Sequence, residues 1–208
     1  LKRLYPEHVV AHGEARLLRE ARAMAQLSHP NVVSVYGVEI RERELGPEHV
    51  QVAVVLNNMA SAMLTMRESA QALPLFERVL RIRERAFGPN SVQLVSVLNN
   101  MGSALISEQD FAGAERQLER ARALLEAQFP EGHPHLGSAL LNLGKLHSSQ
   151  GHLAEARGLY EQSLAIWERT LGPEHPKVAL ALVNLGSLAR REEQPRAAIE
   201  LFRRALAI

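Results

Sequence analysis

The chain has 208 residues, no cysteine, and a formal net charge of +1 from 24 Lys and Arg against 23 Asp and Glu. That balance offers no global attraction for nucleic acid or for an anionic membrane surface, and the lack of thiols excludes a disulfide framework and thiolate chemistry. No apolar run approaches the roughly 18 residues of a membrane span, and the N-terminus lacks the pattern of a secretory leader, so the expected location is cytoplasmic. The chain begins at Leu1 rather than Met, and further sequence is expected upstream.

In chain order, the first elements are Leu1-Lys2-Arg3-Leu4, an amphipathic helix over about residues 12–27, and a Val-rich segment at 31–36 whose β-branched residues favour a strand. Together they resemble part of the small lobe of a bacterial serine/threonine protein kinase. Over these 36 or so residues the resemblance implies that Lys2 is the strand lysine contacting nucleotide phosphates. It likewise implies that Glu20 is its helix partner, and that His29-Pro30-Asn31-Val32-Val33 is the turn and strand that follow. Activity does not follow from ancestry. Phosphotransfer needs a base Asp and a second Asp to hold magnesium, and the only aspartate is Asp110, in the turn of a repeat. No Gly-rich loop precedes Lys2. The chain therefore reads as non-enzymatic, with no catalytic residue, no nucleotide and no other cofactor.

From about residue 38 the sequence repeats with a period of 42: Ala60, Gly102, Gly144 and Gly186 share one register, as do Asn58, Asn100, Asn142 and Asn184, and Leu45, Phe87, Phe129 and Leu171. A fixed period of this size marks a stacked solenoid, in which each unit buries its apolar face against its neighbours. Inside one copy the spacing is helical throughout. Leu140, Leu143, Gly144 and His147 lie on one face, Gly151 marks a break, and Leu153, Ala156, Leu159, Tyr160 and Leu164 form a second face. Turns are expected near 67–69, 109–110, 150–151 and 193–194.

Ala72, Ala114, Ala156 and Ala198, with Phe76, Leu118, Tyr160 and Phe202 four residues on, resemble the tetratricopeptide pattern. The 42-residue length and the Leu171-Gly172-Pro173-Glu174-His175-Pro176 junction are similar to the longer variety found in kinesin light chains and many bacterial multi-repeat proteins. The expected fold is all-α. A truncated kinase-like segment would occupy 1–37 and a repeat array 38–208, with copies at about 46–87, 88–129, 130–171 and 172–208. The recurrent glycines are expected to let the two helices of a copy cross without a side chain between them, with Ala156 and Ala198 opposite. Pro74 should kink its helix or delay its start.

Other chemical candidates are weak. His8 and His12 are four apart with no third ligand, so no metal site is expected. His49, His133 and His175 share a register with Ser91, and a residue exchangeable with serine before a helix reads as a cap. Runs such as Arg41-Glu42-Arg43-Glu44 and Arg83-Glu84-Arg85 read as solvated faces with local ion pairs.

By the resemblance, first helices line the inner curve. The expected peptide-binding residues there are Asn57, Asn58, Asn99, Asn100, Asn142, Lys145 and Asn184, since an amide offers both donors and an acceptor to an extended backbone. The leading reading is an interaction scaffold for a protein or extended peptide, with no nucleic acid or membrane partner. The alternative is a piece of a repeat-bearing protein kinase whose repeats recruit substrates or regulators. Ala205, Leu206 and Ile208 form an uncapped apolar end that invites self-association.

Overall fold

A computed structural model of the chain describes residues 30–130 and 132–208. Lys2, Glu20, the expected helix at 12–27, and His8 and His12 lie outside them. Helices follow one another as α1 (Pro30–Leu45), α2 (Val50–Thr65), α3 (Ser69–Phe87), α4 (Val95–Ser107, entered through a 3₁₀ turn at Val92–Leu94) and α5 (Phe111–Gln128). They continue as α6 (Pro134–Gln150), α7 (Leu153–Leu171), α8 (Pro176–Arg191) and α9 (Pro195–Leu206). No strand occurs among the described residues. The expected strand at 31–36 is the first turns of α1. Strand propensity expresses fit to a neighbouring sheet, and the described residues form none; Pro30 occupies the first helical position, where its missing N–H is harmless.

Helices α2 and α3, α4 and α5, α6 and α7, and α8 and α9 pair as antiparallel hairpins, and each hairpin stacks on the next. The chain reverses inside each pair through one left-handed residue at a common register: Arg67 (φ 63°), Gln109 (φ 62°), Gly151 (φ 86°) and Glu193 (φ 59°). Only the third copy uses the residue that adopts this conformation without steric cost. The helix entries share a register as well. Nδ1 of His49, His133 and His175 accepts the N–H two residues on, and Ser91 Oγ does the same at 3.2 Å. Imidazole and hydroxyl are exchangeable here because both offer a lone pair to an orphan donor.

At Gly144 the helices do approach closely, a Cβ there lying 3.3 Å from the Ala156 carbonyl oxygen, but large side chains come closer still. A Cβ on Gly144 would lie 2.5 Å from Tyr160 Cε1, one on Gly186 would lie 2.8 Å from Phe202 Cε1, and one on Gly102 would strike Leu118. Each glycine is thus a seat for the large side chain of its partner helix, four residues beyond the alanine named above. Gly137 does the same for Trp167, whose indole N–H donates to the Pro134 carbonyl at 2.8 Å. Pro74 sits inside α3, which nevertheless starts at Ser69, so the start is not delayed.

Stacking differs on the two sides of the array. First helices touch directly, α2 on α4 and α4 on α6. Second helices are joined by long side chains instead. Arg78 pairs with Glu42 and donates to the Pro47 carbonyl at 2.8 Å. Arg120 pairs with Glu84 at 2.7 Å and donates to Pro89, and Arg204 pairs with Glu168. Glu42 and Glu84 are therefore not in the local pairs expected of them. Arg85 reaches back to Glu48, and Arg83 donates to the Gln93 carbonyl at 3.0 Å and to Ser96 at 2.6 Å. The third copy has Gln162 in this row, and Glu126 turns to Arg122 of its own helix at 2.8 Å. Helices in direct contact form the inner arc, and those bridged by long side chains form the outer one.

Candidate functional site

The inner face is built from residues three and four apart on the first helices, which share one side of an α-helix. Four rows cross it: Val54, Ser96, Ser138 and Leu180; Asn58, Asn100, Asn142 and Asn184; Ser61, Ser103, Lys145 and Ser187; and Thr65, Ser107, Ser149 and Arg191. All of these side chains are exposed or half-buried. The rows contain no carboxylate. Their charges, Lys145 and Arg191, fall in the third and fourth copies.

The asparagines are not equivalent. Asn58 is exposed. Asn100 donates across the stack to Ser61 Oγ at 3.2 Å, and Asn142 donates to the Asn99 carbonyl of the preceding first helix at 3.4 Å. Asn184 donates to the Leu180 carbonyl of its own helix at 2.7 Å. Asn100 and Asn142 therefore hold the stack as well as facing the groove. Asn99 does not belong on this surface, being 6% exposed with an amide oxygen that has no hydrogen-bond partner. Asn57 is half-buried with its amide oxygen likewise enclosed. One residue of offset turns a side chain about 100° around a helix, and the third copy has buried Leu141 at this register.

Lys145 lies one turn beyond Asn142. It is half-buried, its ammonium makes no ion pair or hydrogen bond with a described residue, and burial holds it below the ordinary lysine value. Two other cations near the face are engaged. Arg191 donates to the carbonyl and hydroxyl of Ser148, and Lys177 sits 5.7 Å above the Trp167 ring. Burial pushes the Tyr160 hydroxyl up to about 12 against the opposing pull of Ser148 and Arg191. His135 is held below the usual imidazole value, first by burial and then by His133 and Lys177. No group of three or more His, Cys, Asp or Glu among the described residues could hold a metal ion, and no described helix is long and apolar enough to cross a membrane.

Of the polar rows beside the asparagines, only Lys145 was expected from the sequence. Their signal was present, since Ser61, Ser103, Lys145 and Ser187 share the 42-residue register one turn after the asparagines. At the far end of the stack, Val183 is 43% exposed where its register partner Leu141 is 3% exposed, and Leu206 is 86% exposed.

A family model described as tetratricopeptide repeat matches residues 38–85, 53–127, 93–169 and 135–208. Among solved structures, the chain is similar to a Podosopora anserina protein described as having kinesin light chain nearly identical TPR-like repeats. That similarity has 20% identity and a TM-score of 0.66, over 99% of this chain and 96% of the other. It is also similar to BtubC (BKLC) from P. vanneervenii, with 19% identity and a TM-score of 0.65 over 94% and 88% of the two chains. The apo form of RapI matches at 17% identity and a TM-score of 0.66, over 91% of this chain and 50% of RapI. No curated protein sequence matches the chain.

Proposed function

The chain belongs to the tetratricopeptide repeat family, and we propose that it is a non-catalytic interaction module that holds an extended protein segment along its inner face. The observation that carries this reading is the set of rows of small amides and hydroxyls on that face, without a single carboxylate. Such rows can bond a backbone while tolerating many side chains, because each amide both donates and accepts. A fold stacked from hairpins also presents a long surface rather than an enclosed pocket, which suits a strand-like ligand.

The cross-stack bonds of Asn100 and Asn142 decide which asparagines test the idea. Replacing those two would loosen the stack and confuse binding with folding. Asn58→Ala with Asn184→Ala removes ladder amides that do not bridge repeats. Binding of a degenerate pool of fluorescein-labelled decapeptides, followed by anisotropy, should weaken about thirtyfold while helical content is unchanged, given roughly 1 kcal/mol for the hydrogen bond lost at each of the two positions. Unchanged pool binding would remove the inner face as the site.

A second reading concerns the last hairpin, whose exposed Val183, Ile199 and Leu206 are offered to a second copy of the chain. Sedimentation velocity should show concentration-dependent association that Val183→Ser with Leu206→Ser abolishes. A monomer at all concentrations would exclude it.

A further inference from the structure

The row of Ser61, Ser103, Lys145 and Ser187 changes character once, at the third copy. A lysine there has a cost: burial disfavours its charged form, and no described group compensates. The helix dipole is a poor substitute. It acts within the last turn, and α6 runs five residues further, to Gln150. The neighbouring cations cannot share a ligand as freely, because Arg191 is tied to Ser148 and Lys177 to the Trp167 ring. Lys145 is thus the one cation of the inner rows with its donors uncommitted, on a face that offers no carboxylate of its own.

We propose that the segment held on the inner face carries one internal acidic side chain, whose carboxylate sits on Lys145. This rests on the peptide reading above. The chemistry selects a carboxylate over a phosphate, since a doubly charged group is met by several cations or by the fork of an arginine, and here a single ammonium stands among hydroxyls and amides. Charge also sets direction. The first two copies place no charged residue in these rows, and the Arg83 guanidinium that reaches Ser96 is also held by the Gln93 carbonyl, so the acidic position faces the third copy and the uncharged part of the segment runs along the first two.

The test uses N-acetylated, C-terminally amidated, fluorescein-labelled decapeptide pools, degenerate except for a fixed central Glu, Gln or Lys, with binding read by anisotropy. The Glu pool should bind about tenfold tighter than the Gln pool, and the Lys pool weakest, with the Glu advantage shrinking as salt is raised. Lys145→Gln should erase the Glu-over-Gln ratio, Lys145→Arg should keep it, and Lys177→Gln should leave it intact, with circular dichroism confirming that each variant is folded. Equal binding of the Glu and Gln pools by the natural chain would overturn the proposal while the groove reading stands. A preference that survives Lys145→Gln, or that emerges only when the pools carry a free C-terminal carboxylate, would overturn it too. Binding of no pool would fail the groove reading itself, and the proposal with it.

Discussion

Replacing Asn99 by leucine should stabilise the array. The Asn99 side chain is 6% exposed and its amide oxygen has no partner, and an unsatisfied buried polar group costs about 1–3 kcal/mol. The chain supplies its own control, because the same register in the next copy holds Leu141, 3% exposed. The surroundings correspond closely. Leu141 packs in a cluster with Val178, Ala181 and Leu182, and 42 residues earlier stand Leu136, Ala139 and Leu140. A leucine at 99 would meet one added methylene where Leu136 replaces Val178, so part of the gain is lost to crowding. The hydrogen bond from Asn142 goes to the Asn99 backbone carbonyl and survives the change. We expect a net gain of about 1–2 kcal/mol, read as a rise of roughly 2–8 °C in the midpoint of thermal unfolding followed by circular dichroism. Repeat arrays can unfold in stages, so urea unfolding should also show whether the gain is confined to the second and third copies. The reverse exchange, Leu141→Asn, should lose more, since it forfeits apolar burial and creates an unpaired amide. An unchanged or lower midpoint for Asn99→Leu would refute the reasoning and mean that the amide oxygen is satisfied.

Two glycines should respond in opposite directions. Gly144→Ala drives a methyl into Tyr160 and should cost about 1–3 kcal/mol, whereas Gly158→Ala, with nothing within 4 Å inside α7, should gain up to about 1 kcal/mol, both read by chemical unfolding. At the turns, Arg67→Gly and Glu193→Gly should each raise stability by about 1 kcal/mol by relieving a left-handed side chain; a loss would show that the side chain, not the backbone, dominates there. At the caps, His175→Ser should be nearly neutral while His175→Ala loses about 1 kcal/mol, and equal losses would deny the cap its role. Burial lowers the Lys145 pKa, so the unfolded chain holds that proton more tightly than the folded one. The penalty is therefore present below the lowered value and fades as pH rises toward the ordinary lysine value. Lys145→Met should raise the midpoint at neutral pH, by an amount that shrinks in strongly alkaline buffer.

The period, the helix pairs and the turns were legible because each rests on short-range rules. Helical spacing, a break residue and a cap can all be read within one copy, and four copies in one register reinforce each other. What failed needed knowledge of a neighbour. The Val-rich stretch at 31–36 obeys local strand preference, yet a strand without a sheet leaves its backbone unpaired, and the helix wins. Glycine in a helix signals close approach, but spacing alone does not say that Tyr160 rather than Ala156 fills the space. Glu42 and Glu84 sit among arginines in sequence and pair with others 36 residues away. In the candidate site the row of Asn58, Asn100, Asn142 and Asn184 could be read from its period, whereas the burial of Asn99 could not, because adjacency in sequence is not adjacency on a helix.

The two sides of the array divide the work of a stacked protein. On the outer arc the repeat-to-repeat distance is wide, and arginine is long enough to cross it, reaching both a carboxylate and a loop carbonyl. On the inner arc the first helices are in contact, and an asparagine suffices. That economy has a consequence for binding. An inner face stitched by short amides stays flat and nearly uncharged, so a long side chain placed there is free to meet a ligand. In the row that repeats one residue type, Asn100 and Asn142 also hold the stack. Rows that break the type are where copies differ without changing the fold: Ser, Ser, Lys and Ser at 61, 103, 145 and 187, or Val, Ser, Ser and Leu at 54, 96, 138 and 180. A ligand reads the array through such differences, Thr, Ser, Ser and Arg at 65, 107, 149 and 191 among them, because the asparagine row it meets is the same residue at each step.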